Sequence, residues 1–341
     1  MSHDTPAIAG LGITEQGKVY GRTPRPFAAQ AVRLAAADAG LALADIDGLI
    51  VSGGLRSGVG VELQGTLGLT DLTLLTEMQG YGSTAGQMVQ YASMAVQSGM
   101  ATTIALVWAD APLKEKAGAA SAYGGARRLP KGFGGLHASN GIASPNVIYA
   151  LAARRHMKKY GTTSEQLGHI AVAQRQWAQL NPLAQFHDTP LTLEDYHASR
   201  YIAEPFHLYD CCLVSNGGVA VIVTTLDRAR ALRQPPVRVL GWAQAHPGKS
   251  GVRNDDFGLV SGAATSGPRA LEMADTTLAE IDVAQIYDCY TFTALLTLED
   301  YGFFLKVRAG PVSPSPARWG PGADSRSTPA GDSSARSTCG G

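Results

Sequence analysis

The chain has 341 residues, enough for two domains of ordinary size or for one duplicated α/β unit with insertions. Its 28 acidic and 28 basic side chains give a formal net charge of zero, and no Lys/Arg cluster marks a surface for nucleic acid or an anionic membrane. The expected partner is therefore a small uncharged metabolite or another protein.

The first part of the chain alternates strand and helix patterns. Apolar residues keep a helical period over 26–39, and Gly40 suits the end of that helix. The run Gly80-Tyr81-Gly82-Ser83-Thr84-Ala85-Gly86 opens a second long helix, which continues through Val96. The other predictions here are a strand at 7–13, a strand that begins at Gly48, a glycine-rich loop at 53–60 and a buried strand at 101–108.

Residues 111–204 form a predicted insertion. Its first part, 111–145, is rich in Gly and Ala and is typical of a lid, and helices follow at 145–160 and 164–180. The second helix opens on Thr163-Ser164-Glu165-Gln166, which fits a capping box. We expect this insertion to shape a substrate pocket.

The chain divides into two halves and a tail. A strand at 219–224 and a helix at 226–232 close an N-terminal half that spans 1–232, and a second half spans 237–306. In 307–341 roughly half of the residues are Gly, Ser or Pro, and apolar residues no longer recur at a regular spacing. This tail is either naturally disordered or the product of a frameshift near Lys306, because GC-rich DNA read in a shifted frame gives such a composition.

One motif occurs twice. Leu43-Ala44-Asp45-Ile46-Asp47 precedes the run that begins at Gly48, and Leu278-Ala279-Glu280-Ile281-Asp282 precedes residues 283–289. Both copies indicate a helix, a short acidic turn and an apolar strand that ends on small or polar residues. Ligands collect at the carboxyl ends of strands in open α/β sheets, so chemistry is expected where the two copies end, and they end differently.

The Gly82-Ser83 turn is the first segment that suits catalysis. Its backbone N–H groups and the dipole of the following helix would stabilise an oxyanion or a thiolate, although close packing is the commoner use of such a turn. Neither this turn nor the loop at 53–60 matches a phosphate loop or a dinucleotide fingerprint, which argues against nucleotide binding.

The run Tyr287-Asp288-Cys289-Tyr290-Thr291 is the second such segment, because it ends the second predicted strand and starts a helix at 292–301. In an extended segment Tyr287 and Cys289 share a face, at the rim where ligands bind. Tyr287 would act as a general base only if its pKa of about 10 were lowered, and the adjacent Asp288 opposes this unless it faces elsewhere. A packed tyrosine at a strand end is the alternative, and Tyr290 is assigned to the core.

Other nucleophilic and titratable side chains give weaker indications. Cys211 and Cys212 are predicted to be buried structural thiols that point to opposite sides. His187, His197 and His207 lie in or near the insertion, and none has a partner spacing that singles it out.

The cysteine count and the N-terminus predict a reducing, cytoplasmic location. Four cysteines form neither a disulfide framework nor a zinc-ligand spacing, so no metal is expected. The first residues lack the regions of a signal peptide, and the longest apolar stretch, 92–108, is interrupted by Gln97-Ser98-Gly99.

Several of these features together resemble the thiolase superfamily: the repeat, the Gly82-Ser83-Thr84 helix opening, the Asp-Cys-Cys within 205–218, and the 287–291 run followed by Leu298-Glu299-Asp300-Tyr301-Gly302. The branch is that of the sterol-carrier-protein-type thiolases and the thiolase-like lipid-transfer aldolases of bacteria, and the likeness covers residues 5–306. It implies an α/β fold of duplicated αβαβα layers, a homodimer, and coenzyme A thioesters as substrates without a further cofactor.

The chain departs from the catalytic pattern of ordinary thiolases. Counting back from Val96-Gln97-Ser98-Gly99 places Gly82, with Tyr81 beside it, where those enzymes have their nucleophilic cysteine. Their Gly-His and Cys-x-Gly segments belong in the C-terminal part, where this chain offers only Cys339-Gly340-Gly341. The thiolase-like aldolases similarly lack the cysteine, and they cleave a β-hydroxyacyl-CoA from steroid side-chain degradation by a retro-aldol step that uses tyrosines.

The resemblance therefore implies non-covalent cleavage of a C–C bond in an acyl-CoA. Tyr287, with its neighbour Asp288, would handle the proton, and backbone amides near Gly82 and Ser83 would hold the enolate oxygen. The other candidate pocket residues are Tyr81, Cys289 and His207. A small OB-fold partner that binds acyl-CoA is expected. The alternatives are an acetyl-CoA C-acyltransferase whose nucleophile lies elsewhere, and a catalytically inactive acyl-CoA-binding subunit.

Overall fold

The computed structural model describes residues 5–56, 58–123, 132–142, 144–247 and 256–306. The tail at 307–341, with the run Cys339-Gly340-Gly341, lies outside these ranges. The chain forms two compact units, one of Met1–Arg127 with Leu213–Trp242 and one of Arg128–Cys212 with Ala243–Gly341. The halves predicted at 1–232 and 237–306 stay a prediction.

Strands and helices alternate in the first part of the chain, after which several helices and then several strands follow one another. The strands are β1 Pro6–Ile13, β2 Gly48–Ser52, β3 Leu74–Glu77, β4 Thr103–Asp110, β5 Tyr201–Ala203, β6 Phe206–His207, β7 Gly217–Thr225 and β8 Val237–Arg238. The helices are α1 Pro24–Ala39, α2 Leu63–Leu67, α3 Thr84–Gln97, α4 Phe133–Ser139, α5 Pro145–Tyr160, α6 Ser164–Gln179, α7 Leu193–Ala198, α8 Leu226–Arg230, α9 Ala263–Met273 and α10 Thr291–Tyr301. The sequence predicts α1, α5, α6 and α10 with nearly these boundaries.

The first unit is built on a mixed six-stranded sheet with the order β3-β2-β4-β7-β1-β8. β2 runs parallel to β3 and β4, whereas β4 with β7, β7 with β1, and β1 with β8 pair antiparallel. Leu49 and Val51 of β2 share a core with α1, and Ile50 between them shares one with α3. Because side chains alternate along a strand, both faces of the sheet are buried under helices.

Two glycines in β1 let α1 lie close to the sheet. A Cβ atom on Gly12 would be 2.1 Å from the carbonyl oxygen of Ala31, and one on Gly10 would be 2.4 Å from that of Ala35. Real side chains do not tolerate such contacts, so the spacing between α1 and β1 depends on these two residues.

Helices of the second unit pack around a shared core. Leu167 and Ile170 of α6 share it with Phe292 and Leu295 of α10, and with Phe206. The N-terminus of α6 carries the predicted capping box, in which the Gln166 N–H donates to Thr163 Oγ1 at 3.2 Å and the Thr163 N–H donates to Gln166 Oε1 at 3.0 Å.

A buried polar chain joins α5 to α10 in this unit. His156 is fully buried, and its Nε2 lies 2.9 Å from Glu299 Oε2. Its Nδ1 lies 2.8 Å from Thr162 Oγ1, so both ring nitrogens are paired.

The two copies of the repeat form the same turn and then differ. Leu43–Asp45 and Leu278–Glu280 are both single 3₁₀ turns, each closed by a 2.8 Å hydrogen bond from a backbone N–H to the acidic side chain. The strand predicted at 283–289 is wrong: this described segment forms only an isolated bridge at its end, between Tyr290 and Cys211. Its counterpart β2 has a strand on each side, and a strand forms only where neighbours complete its hydrogen bonds.

Candidate active site

Residues 287–290 lead into α10 of the second unit. The Tyr290 bridge to Cys211 continues in a 3.1 Å hydrogen bond from the Cys212 N–H to the Cys289 carbonyl. Tyr290 then caps α10, since its N–H donates to Thr293 Oγ1 at 3.1 Å. The side chains of Tyr287 and Cys289 interact with each other, whereas the carboxyl of Asp288 is bonded to Gln174 of α6.

Three hydroxyl groups surround the thiol of Cys289. Thr293 Oγ1 lies 3.6 Å from the sulfur, and the phenols of Tyr149 and Tyr287 are near enough to interact with it electrostatically. Cys289 is 9% exposed, whereas Tyr287 is 59% exposed. We call Tyr149, Tyr287, Cys289 and Thr293 the thiol–phenol cluster.

The pKa values of the cluster are raised. Burial, with a contribution from the Cys289 thiol, raises the pKa of Tyr149 to about 12 and raises the pKa of Tyr287 above its usual value. Burial also raises the pKa of Cys289, against its hydrogen bonds to Thr293 and the two phenols, which lower it. Near neutral pH all three groups are therefore uncharged. A tyrosine that acts as a base at this pH needs a lowered pKa, whereas the surroundings of Tyr287 raise its pKa.

The carboxyl of Asp288 is bonded to α6, and its charge contributes to raising the pKa of Cys289. Gln174 of α6 donates a 2.9 Å hydrogen bond from Nε2 to Asp288 Oδ2. Burial raises the pKa of this carboxyl, while the hydrogen bond from Gln174 lowers it. Asp288 thus anchors the segment to α6.

Aromatic rings pack beneath the cluster. The Tyr290 ring stacks on Phe206 at 5.0 Å between centroids and packs on Tyr149 at 4.7 Å. The Tyr290 hydroxyl donates to Asn146 Oδ1 at 2.6 Å. Tyr290 is 6% exposed, as expected for a core residue, and it ties the first turn of α5 to the start of α10.

Asp210 anchors the chain just before Cys211. It is 1% exposed, and its Oδ2 accepts hydrogen bonds from the Tyr196 hydroxyl at 2.8 Å and the His207 N–H at 2.7 Å. The hydroxyl of Thr291 donates to Oδ1. Burial raises the pKa of Asp210, although these three hydrogen bonds lower it.

The cysteine pair and His207 lie around this anchor. Cys211 is half-buried, whereas Cys212 is exposed, so the prediction of two buried thiols is wrong for Cys212. Desolvation raises the pKa of Cys211 to about 12 and that of Cys212 to about 11. His207 is 4% exposed; its ring packs on Tyr201 at 4.2 Å and its Nδ1 lies 2.8 Å from the carbonyl oxygen of Ser199, so it belongs to a separate group of rings.

The turn before α3 belongs to the first unit. Tyr81 has a left-handed φ of +51° and is 78% exposed. Its N–H donates to Gln79 Oε1 at 3.0 Å, and the Ser83 N–H donates to the Gly80 carbonyl at 3.1 Å. The Ser83 amide is thus already paired within the turn. The Gly82 N–H is the other amide of this turn that the sequence proposes as a donor to an anion.

The described ranges contain no group of three or more His, Cys, Asp or Glu side chains arranged to hold a metal ion. No described helix has both the length and the hydropathy to cross a bilayer.

The structure adds Tyr149 to the residues that the sequence singles out. The sequence predicts its helix, but no motif or spacing marks Tyr149 for chemistry. Its partner Cys289 is far away along the chain, so only the packing of α5 against α10 reveals their contact.

A family model described as "Thiolase C-terminal domain-like" matches residues 243–323. The chain is 35% identical over 318 residues to the "Steroid side-chain-cleaving aldolase" of Thermomonospora curvata, with 89% of this chain and 79% of the relative covered. It is 33% identical over 320 residues to the "17-hydroxy-3-oxo-4-pregnene-20-carboxyl-CoA lyase" of Mycobacterium tuberculosis, with 89% and 80% covered. It is also 29% identical to the "Acetyl-CoA acetyltransferase" of Methanothermobacter thermautotrophicus, with 89% and 79% covered.

Two solved structures are similar to this chain in fold. The structure titled "Ltp2-ChsH2(DUF35) aldolase" superposes with a TM-score of 0.78 at 34% identity, over 88% of this chain and 77% of that one. An acetyl-CoA acetyltransferase of Bacillus anthracis superposes with a TM-score of 0.66 at 15% identity, over 88% and 84% of the two chains, which concerns the fold alone. The α/β fold class predicted from the sequence is confirmed.

Proposed function

Because the chain belongs to the thiolase superfamily, in the branch of the thiolase-like steroid side-chain-cleaving aldolases, we propose that it cleaves a C–C bond of a β-hydroxyacyl-CoA by a non-covalent retro-aldol reaction. The observation that carries this proposal is the similarity, across 89% of the chain, to relatives named as an aldolase and a lyase. The turn Gly80-Tyr81-Gly82-Ser83-Thr84 contains no thiol, which agrees with a reaction that forms no covalent intermediate.

The proposed substrate is a steroid whose side chain ends in a coenzyme A thioester and carries a β-hydroxyl group. The name of the M. tuberculosis relative places a hydroxyl on carbon 17 and the thioester at carbon 20. In such a compound the hydroxyl-bearing carbon is β to the thioester carbonyl, so a retro-aldol reaction breaks the bond between carbons 17 and 20. For this chain we therefore propose a 17-ketosteroid and propionyl-CoA as products.

Tyr287 is the proposed proton carrier. As a phenolate it takes the proton of the β-hydroxyl, the O–H electrons form the ketone, and the electrons of the broken C–C bond form the thioester enolate. The Tyr287 phenol then gives the proton to the α-carbon, which regenerates the phenolate, so the proton balance closes without another reactant. Asp288, hydrogen-bonded to Gln174, holds the segment in place.

The raised pKa of Tyr287 gives this proposal a pH dependence. A phenolate with a raised pKa is a strong base, but it is scarce at neutral pH. We therefore expect kcat/KM to rise about tenfold per pH unit through the neutral and mildly alkaline range. A profile that falls above neutral pH would mean that the reaction needs Tyr287 as a phenol.

The test is a cleavage assay on a 17-hydroxysteroid 20-carboxyl-CoA thioester, with the full chain alone and with a DUF35-type partner. Mass spectrometry follows the ketosteroid and the acyl-CoA. Tyr287→Phe is expected to lower kcat about 10²–10⁴-fold. Tyr160→Phe is the matched control, because Tyr160 packs on His156 at the far end of α5 and should keep full activity.

Two outcomes would contradict the proposal in different ways. Undiminished cleavage by Tyr287→Phe would remove the proton role. Binding of the thioester without turnover by the wild-type chain with its partner would identify a catalytically inactive acyl-CoA-binding subunit.

We also propose that the chain works in a cytoplasmic assembly, as a homodimer with a small OB-fold partner that binds acyl-CoA. The similar solved structure is titled as an Ltp2-ChsH2(DUF35) aldolase, which supports a partner protein. Light scattering on the chain, alone and copurified with the partner, tests the two associations separately: a monomeric mass would reject the homodimer, and failure to copurify would reject the partner.

Acyl transfer is the second candidate function, because acetyl-CoA acetyltransferases are among the relatives. It predicts coenzyme A-dependent thiolysis of a β-ketoacyl-CoA and complete loss of that activity on thiol alkylation. The raised pKa values of the described cysteines favour the aldolase, since a nucleophilic cysteine has a lowered pKa.

A further inference from the structure

Two free cysteines of the second unit lie opposite each other where two chain segments pair. An isolated antiparallel bridge joins Cys211 to Tyr290. The next residues in register are therefore Cys212 and Cys289, and the Cys212 N–H donates a 3.1 Å hydrogen bond to the Cys289 carbonyl. We propose that Cys212 and Cys289 are a redox pair, which a small disulfide such as oxidised glutathione converts reversibly into an intramolecular disulfide.

The backbone spacing of this pair suits a disulfide bond. Hydrogen-bonded residues that face each other in an antiparallel pair have Cα atoms about 5.5 Å apart. Disulfides most often join residues whose Cα atoms are about 5.5–6 Å apart. Because the side chains of directly opposed residues project to the same side, the two sulfurs can bond after rotation of the side chains, without movement of the backbone.

The electrostatic neighbours of the two thiols agree with this arrangement. Burial raises the pKa of Cys212 to about 11, and the largest contribution after burial comes from Cys289. The pKa of Tyr287 is raised by burial and then by the same two thiols. Cys211 has a different neighbour, because its thiol donates a 3.8 Å hydrogen bond to the carbonyl oxygen of His207. Cys212 is thus the member of the adjacent pair that can reach Cys289.

The two thiols differ in exposure, which sets the order of the reaction. Cys212 is exposed, whereas Cys289 is 9% exposed. The Cys212 thiolate attacks one sulfur of oxidised glutathione, the S–S bond breaks, and one glutathione thiolate leaves. The Cys289 thiolate then attacks the Cys212 sulfur of this mixed disulfide and releases the second glutathione. The two protein thiols give up two protons and two electrons, which convert one oxidised glutathione into two reduced ones.

The raised pKa values make this oxidation slow and pH-dependent. Only the thiolate attacks a disulfide, and the pKa of Cys212 is about 11. We therefore expect the rate of oxidation to rise about tenfold per pH unit between about pH 7 and pH 10. The pair would respond to sustained oxidising conditions and not to a brief pulse of oxidant.

The disulfide would tie the residues that lead into α10 to the chain that follows Asp210. Cys289 interacts with Tyr287, so the oxidised pair would lie beside the proposed proton carrier. Neither thiol takes part in the proposed retro-aldol reaction, so the disulfide can form whether or not the chain is an aldolase.

The test equilibrates the full chain with mixtures of oxidised and reduced glutathione at pH 8. Acid stops the exchange, the remaining thiols are alkylated, and tryptic peptides are analysed by mass spectrometry. Trypsin separates Cys212 from Cys289, so the expected disulfide joins the peptide 201–228 to the peptide 270–306. The rate of its appearance, measured from pH 7 to pH 10, tests the expected pH dependence.

Matched serine variants identify the thiols that react. All are made in a Cys339→Ser background, so that only three cysteines remain. Cys211→Ser is the control, because the Cys211 thiol bonds to His207, and it should give the joined peptides at the wild-type yield. Cys212→Ser and Cys289→Ser should each abolish them.

Three outcomes would overturn the proposal. Joined peptides that persist in Cys212→Ser would make Cys211 the partner of Cys289. A peptide 201–228 that is lighter by two hydrogens would show a disulfide between the adjacent cysteines instead. Mixed disulfides with glutathione alone, at every ratio, would show that the two thiols do not meet.

The unfolded chain provides a control that needs no variant. In concentrated urea the two thiols are held together only by a long flexible loop, so the equilibrium constant for the disulfide should fall at least about tenfold. Equal constants for the folded and the unfolded chain would show that the fold does not bring the thiols together, and the proposal would fall.

Discussion

Asp210 joins three parts of the second unit through one carboxylate, and removing it is expected to destabilise that unit strongly. Asp210→Ala deletes the acceptor of the Tyr196 hydroxyl at 2.8 Å, of the His207 N–H at 2.7 Å, and of the Thr291 hydroxyl. Each donor would stay buried without its partner, at about 1–2 kcal/mol apiece. We therefore expect the free energy of unfolding to fall by about 3–6 kcal/mol.

Asp210→Asn separates the hydrogen bonds from the charge. The asparagine oxygen can accept from Tyr196 and His207, and its amide can donate to the Thr291 hydroxyl oxygen after that hydroxyl rotates. We expect this variant to stay within about 1 kcal/mol of the wild-type chain at neutral pH.

The same pair of chains gives a pH test. Burial raises the pKa of Asp210 in the folded chain above its ordinary value of 3.8. The folded state therefore binds the proton more tightly than the unfolded state, and this group's contribution to stability is lost as pH rises from about 4 through the raised value. That loss should be missing in Asp210→Asn.

Urea unfolding followed by circular dichroism measures these differences. Asp188→Ala is the matched control in the same unit, because Asp188 has a side chain that is 94% exposed and its contact with His187 is 3.7 Å long. Removal of such a surface charge should cost less than about 0.5 kcal/mol. If Asp210→Ala unfolds within about 1 kcal/mol of Asp188→Ala, the reasoning from unpaired donors is refuted.

Two further predictions concern reactivity and backbone strain. With a pKa of about 11, Cys212 should be labelled by iodoacetamide more slowly than glutathione at pH 8, as followed by peptide mass spectrometry. The labelling rate should rise about tenfold per pH unit up to about pH 10. Fast labelling that does not depend on pH would contradict this prediction. Tyr81→Asn should raise the free energy of unfolding in urea by up to about 1 kcal/mol, since asparagine adopts the left-handed φ of +51° more readily; a loss of stability would show that contacts of the Tyr81 ring outweigh the strain.

The local elements and the family could be predicted from the sequence alone. The boundaries of α1, α5, α6 and α10 follow from apolar periods and end residues, and the capping box at Thr163 is visible in four letters. The acidic turns of the repeat also form as expected, because their hydrogen bonds join residues three apart. Interactions of such short range can be predicted from the local sequence, because both partners lie within a few residues of each other.

Which residues meet, and how their pKa values shift, depends on the packing of the whole chain. Residues 283–289 have a strand-like pattern but no strand on each side. The pattern of apolar residues does not show whether a neighbouring strand is present to complete the hydrogen bonds. Tyr149 reaches Cys289 because two helices pack together, and no spacing records that contact. The pKa of Tyr287 rises because its surroundings desolvate it, and desolvation depends on the atoms that the whole fold brings around a group.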